Sequence, residues 1–213
     1  MKRFAVLLLA LAMTVCCAMP AFAAGTIEVT EDVSVSDDYD WTRFKGQNIT
    51  LNVYNWGEYI SNGSDDSLDV VSAFEDLTGI KVNYTTFDSN ESMYAKLKSG
   101  AADYDVVIPS DYMVAKMIAE GMLKPLNYDN IPNFQKIDPQ FTHLSYDPEN
   151  KYTVPYTWGT LGIIYNSTMV DGDIDSWDAM FDEKYAGNVL MIRNSRDALA
   201  AALLDLGYDI NTT

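Results

Sequence analysis

Cysteine is almost missing from this chain of 213 residues: there are two, Cys16 and Cys17, side by side near the start. Histidine is scarcer still, with His143 alone. Basic residues are few as well, 14 Lys and Arg against 31 Asp and Glu, giving a formal net charge of −17. Each shortage excludes something. So few bases cannot neutralise a phosphate backbone, so a nucleic-acid binder is not expected. One histidine, with no HExxH and no second imidazole, offers no zinc site and no base for a serine nucleophile. The longest apolar stretch, residues 4–15, is too short to span a bilayer comfortably.

That stretch has another reading. Lys2 and Arg3 precede it and Ala21-Phe22-Ala23 follows, the small-x-small pattern cut by a signal peptidase. Residues 1–23 are therefore expected to be a signal peptide, and the protein to be exported, to the periplasm or the cell surface. Their removal takes away two positive charges and no acidic one, moving the formal charge from −17 to −19. It also removes both cysteines, leaving no disulfide and no thiolate chemistry. Attachment of a lipid at Cys16 or Cys17 is the alternative, with a membrane-tethered product, but Met13-Thr14-Val15 is a poor lipobox.

With 48% hydrophobic residues there is ample material for a core. Residues 24–46 are acidic and lack apolar periodicity, which reads as a solvated leader or linker, with order starting at Asn48. From there strand and helix patterns alternate. Residues 48–56 (NITLNVYNW) alternate as a strand, and Leu68, Val71, Phe74 and Leu77 recur at helical spacing between a Ser67 cap and Gly79. Residues 80–86 predict a second strand, 89–99 a helix, 104–108 a buried parallel strand, and 112–120 a helix. A second block predicts strands over 152–166 and 188–192, with helices over 176–181 and 196–206. Strand and helix in alternation define an α/β layer with a largely parallel sheet. The chain stops one helix into a further α/β unit, which reads as a portion of a longer protein.

In open α/β sheets ligands sit beyond the carboxyl ends of the strands. Two such ends carry chemistry: Asn55-Trp56-Gly57-Glu58-Tyr59 and Pro109-Ser110-Asp111-Tyr112. Each has a carboxylate and aromatic surface without Lys or Arg. That combination suits an organic ammonium, which takes charge-assisted hydrogen bonds from carboxylates and cation–π contacts from rings. The plainer alternative remains open: Trp56 and Tyr59 as core aromatics, and Ser110 or Asp111 as a helix cap.

The segments NWGEY (55–59), TTFDSNESMYAKL (85–97), YDVVIPSDYMVAKM (104–117) and VPYTWGTLGIIYN (154–166) closely resemble the spermidine/putrescine-binding (PotD-like) proteins of bacterial polyamine ABC transporters. The resemblance runs from about Asn48 to the end. It implies a periplasmic-binding-protein fold, two α/β lobes around a cleft. Lobe one would occupy 47–157, and 158–213 would hold the hinge and an incomplete second lobe. It implies a monomer that captures spermidine or putrescine without a cofactor and delivers it to a membrane ABC permease. Position by position, the family's ligand-binding residues fall on Trp56, Glu58 and Tyr59, on Ser110 and Tyr112, and on Asn194 and Asp197. Asn194 departs from the usual carboxylate, and Asp111, where relatives vary, partly restores the charge. Other readings are a binder of another small organic cation or amino-acid derivative, a secreted hydrolase, and an adhesion protein. The hydrolase lacks G-x-S-x-G around Ser110, and the adhesin lacks repeats.

Overall fold

A computed structural model of the protein describes residues 25–210. Residues 1–23, expected to be a signal peptide and containing Cys16 and Cys17, lie outside the described residues. The described residues divide into two compact units, one made of residues 25–87 with 99–107 and the other of 88–98 with 108–210.

The first unit opens with a hairpin, β1 (Thr26–Glu28) paired antiparallel with β2 (Ser34–Ser36). This corrects the expectation that order starts at Asn48. Val29 and Thr30 donate to the Val33 carbonyl and close the turn, and the Trp41 indole donates to the Ser36 carbonyl at 2.7 Å, so acidic residues ride on a bonded ribbon. Next come β3 (Thr50–Trp56), α1 (Val70–Thr78) and β4 (Lys81–Phe87), a parallel strand–helix–strand unit. The cap of α1 is Asp69, not Ser67. Its carboxylate takes two donors, the Ser72 N–H and hydroxyl, at 3.0 and 2.7 Å, where a serine would take one. Gly79 closes the helix at φ 72°, as its spacing implied.

β5 (Val106–Val107) completes a parallel sheet in the order β4-β3-β5. Its ladder is shorter than the five residues expected, and Val106 is exposed rather than buried. The Asp105 side chain accepts the Asn52 N–H at 2.8 Å, so a carboxylate ends the ladder where a backbone carbonyl would extend it. The edge position of β5 leaves Val106 uncovered.

In the second unit, α2 (Asn90–Lys98) and α3 (Asp111–Ala119) bury Met93, Met113, Val114 and Met117. The Lys98 ammonium pairs with Glu120, which also accepts the Tyr94 hydroxyl at 2.7 Å. Short 3-10 turns follow, and Asp147 organises the chain after them. Its carboxylate accepts the Lys151 and Tyr152 N–H groups and the Thr153 hydroxyl at 2.9–3.0 Å. The strands expected over 152–166 and 188–192 are not formed. Pro155 removes a donor, Gly159 and Gly162 weaken extension, and among the described residues no strand pairs with these segments; Ile164 and Leu190 are almost fully exposed. The helix expected over 176–181 is a single 3-10 turn, Trp177–Met180, capped by Ser176. The last helix, α4 (Ser195–Asp205), buries Ala200 and Ala201.

Candidate functional site

The eight residues singled out from the sequence divide between the units: Trp56, Glu58 and Tyr59 in the first, Ser110, Asp111, Tyr112, Asn194 and Asp197 in the second.

In the first unit, the period-two alternation of β3 puts Tyr54 and Trp56 on one face. Register sets Trp56 opposite Phe87 of β4, and their rings lie 4.6 Å apart. Phe87 meets Tyr54 edge-on at 5.0 Å, and Tyr54 stacks on Tyr104 at 4.4 Å. At the other end Trp56 leans on Tyr59 at 5.9 Å. Five rings thus run from the buried Tyr54 and Phe87 outward to Tyr59, which is 45% exposed. Trp56 is half-buried and braced from behind, with its outer surface shared with an exposed tyrosine. Glu58 is exposed beside them, and no cation of the described residues pairs with it. Aromatic cover and an unneutralised carboxylate are what an ammonium requires.

In the second unit, α3 and the start of α4 supply the rest. Ser110 is the residue before α3, yet its hydroxyl caps nothing in that helix. It accepts a hydrogen bond from the Asn90 amide at 3.0 Å, and its own N–H donates to the Asn90 carbonyl oxygen at 3.0 Å. The same Asn90 amide donates to the Tyr112 hydroxyl at 2.9 Å, and that hydroxyl donates to Glu91 at 3.0 Å. Burial, the largest influence, together with Glu91 holds the Tyr112 phenol above its ordinary value, against the opposing pull of Asn90. The phenol therefore keeps its proton.

Asp197 is half-buried on the first turn of α4, and its carboxyl is held above the usual carboxylate value, first by burial and then by the negative charge of Asp111. A carboxyl whose ionisation is disfavoured by a neighbouring acid marks a place where a cation is welcome. Burial first, then the charges of Asp111 and Asp147, hold the Tyr146 phenol above its ordinary value. Asn194 caps α4, its side-chain oxygen accepting the N–H groups of Arg196 and Asp197 at 3.0 and 3.4 Å. That oxygen is committed to the helix.

Sequence reasoning missed several participants. Asn90 and Glu91 look like an ordinary helix start, and only the fold carries them to residues twenty positions on. Tyr54 was legible as a strand residue but not as the backing of Trp56, and Phe87, which ends β4, lay one residue beyond the strand expected over 80–86. Arg196, whose guanidinium lies 4.5 Å from the Tyr112 ring centroid, sat unremarked between two candidates. Among the described residues no cluster of His, Cys, Asp and Glu could hold a metal ion.

With parallel α/β architecture and ammonium-compatible side chains in both units, the fold and chemistry are those of a solute-binding protein. The chain belongs to the bacterial extracellular solute-binding protein family, whose sequence model matches residues 69–213. It is 38% identical over 195 residues to the spermidine/putrescine-binding periplasmic protein of Escherichia coli, an alignment covering 90% of this chain and 51% of that protein. To the putrescine-binding periplasmic protein SpuD of Pseudomonas aeruginosa it is 38% identical over 179 residues, covering 78% and 47%. Among solved structures it resembles the spermidine/putrescine substrate-binding protein PotD of Streptococcus pneumoniae, with a TM-score of 0.63 and 43% identity over 78% of this chain and 50% of that one. The TpPotD lipoprotein of Treponema pallidum gives a TM-score of 0.68 at 34% identity, over 76% and 50%. The chain spans about half the length of the curated relatives it matches.

Proposed function

We propose that this protein is an exported binding component that captures a polyamine, spermidine or putrescine, and hands it to an ABC permease in the membrane. The observation that carries the reading is the meeting of Tyr112 on α3 with the start of α4: the Arg196 guanidinium lies 4.5 Å from the Tyr112 ring centroid, and the next residue, half-buried Asp197, has its carboxyl held above its ordinary value, first by burial and then by the charge of Asp111. A site whose own charges repel gains free energy when an ammonium enters it. The Tyr112 ring face accepts a cation, Arg196, in the free protein, and a ligand ammonium would compete with that guanidinium for it. In the first unit, Trp56 and Tyr59 would cover methylenes and Glu58 would accept an ammonium N–H. The names of the similar proteins agree with this ligand class.

Asp111, Asp197, Ser110 and Tyr112 are the proposed contacts of the second unit, with Asn194 contributing through the start of α4. A secreted hydrolase is disfavoured by the position of His143, whose ring Nδ1 lies 3.0 Å from the Pro148 carbonyl within its own loop. Isothermal titration of spermidine and putrescine into the protein tests the reading. Saturable heat that weakens on Glu58→Gln and on Asp197→Asn, each by about tenfold for a lost charged hydrogen bond, supports it. The absence of heat with both amines, in this chain and in a chain extended to its natural end, overturns it.

A further inference from the structure

The second unit holds a polar side chain more buried than any of the proposed contacts. Asn90 is 1% exposed, at the first residue of α2, and each of its polar atoms is engaged. Its carbonyl oxygen accepts the Ser110 N–H, and its amide nitrogen donates both to the Ser110 hydroxyl and to the Tyr112 hydroxyl. A buried amide satisfied on both sides is fixed in place, because every alternative orientation leaves a donor or acceptor unpaired.

We infer that Asn90 is a positioning residue for ligand binding, acting through Ser110 and Tyr112 rather than by touching the ligand. Asn90 matters to the ligand only through those two contacts, proposed above. By donating to the Ser110 hydroxyl oxygen it engages as its own acceptor a group that makes no capping bond to α3. By donating to the Tyr112 oxygen while that hydroxyl donates to Glu91, it assigns the phenol's hydrogen to Glu91 and one lone pair to itself. One lone pair is left, and it can only accept. An acceptor held in a set direction selects for an N–H donor, the polar group that ammonium and guanidinium ligands share. The two residues at α3 thus have their hydrogen-bond polarity decided by one amide on α2.

A double-mutant cycle tests this, read by titration of spermidine and putrescine into the full chain. The variants are Asn90→Ala, the pair Ser110→Ala with Tyr112→Phe, and all three together. Asn90→Ala is expected to weaken binding about tenfold, and the Ser110/Tyr112 pair by at least as much. In the background of that pair, Asn90→Ala is expected to add less than about twofold, because the groups it positions are gone. An equal penalty in both backgrounds means that Asn90 serves only the fold, and overturns the inference. So does unchanged affinity in Asn90→Ala when the pair itself weakens binding, an outcome that leaves the proposed function standing. Unchanged affinity in the pair refutes Ser110 and Tyr112 as contacts and takes the inference with it. Should Asn90→Ala fail to fold, Asn90→Asp enters the same cycle. It keeps the size and the acceptor for the Ser110 N–H while removing both amide donors, and the same non-additivity is required of it.

Discussion

The guanidinium of Arg196 lies over the ring of Tyr112, 4.5 Å from its centroid. Arg196 follows Asn194 and precedes Asp197, so a basic side chain is set among groups otherwise suited to receive a cation. A ligand ammonium seeking the same ring face meets that charge first. Arg196→Gln, which keeps a polar side chain but removes the charge, is predicted to tighten polyamine binding about two- to fivefold, in line with an exposed cation–π contact. The gain should shrink in high salt, where the repulsion is screened. Titration of wild type and variant at low and high ionic strength reads both. Weaker binding by the variant at both would show that Arg196 supports the ligand instead.

Acidification is predicted to weaken ligand binding before it unfolds the protein. The Asp197 carboxyl stands above its ordinary value in the free protein because of burial and Asp111. An arriving ammonium favours the ionised form and expels the proton. Affinity therefore falls as the pH drops through the raised value. Asp197→Asn should abolish most of that dependence. Titrations at several pH values compare the slopes.

A different acid governs stability. Burial pushes the Asp147 carboxyl up, but the N–H groups of Tyr152 and Lys151 and the Thr153 hydroxyl more than reverse this and leave it lowered. Its contribution is complete above the unfolded carboxylate value of about 4 and is lost as the pH falls through the lower folded value. Asp147→Asn is predicted to destabilise the second unit by about 1.5–3 kcal/mol near neutrality, the range for hydrogen bonds to a charged group. The gap to wild type should narrow toward pH 3, measured as Tm against pH. Asp205 has the opposite sign: its hydrogen bond with the Asp178 carboxyl holds it above the ordinary value, so its contribution is lost as the pH rises.

Gly79 is predicted to tolerate no side chain. It ends α1 at φ 72°, and a Cβ there would come within 3.0 Å of the Lys45 Cα and 2.9 Å of its Cγ. Gly79→Ala should cost about 1–2 kcal/mol from the backbone conformation alone, with the contact to Lys45 adding to it. Denaturant unfolding compares the two proteins. A loss below about 0.5 kcal/mol would mean that the helix end relaxes freely.

The parts of the fold legible in the sequence are those where local pattern and tertiary outcome coincide. Leu51 and Val53 alternate within β3, Gly79 stops α1, and Gly100 and Gly121 follow α2 and α3. The misplaced features turn on partners. Residues 154–166 have the composition of a strand, but a strand exists only where another takes its N–H and C=O groups. Asp69 displaced Ser67 as a cap because Ser72 offers two donors to a carboxylate, a relation three residues long that a periodicity count overlooks. The chemistry at the two segment tips was readable as residue types. Its organisation was not, because Asn90 and Phe87 act on residues twenty or more positions away.

The row of rings from Tyr104 through Tyr54, Phe87 and Trp56 to Tyr59 also has an optical consequence. Tyrosines within a few ångströms of an indole pass their excitation to it, so light absorbed along the row emerges from Trp56. The outermost ring of that row is solvent-exposed. A molecule settling on Tyr59 and Trp56 changes the polarity around the emitter and shifts its colour. The first unit therefore carries its own reporter, and occupancy there can be followed by fluorescence without attaching a dye.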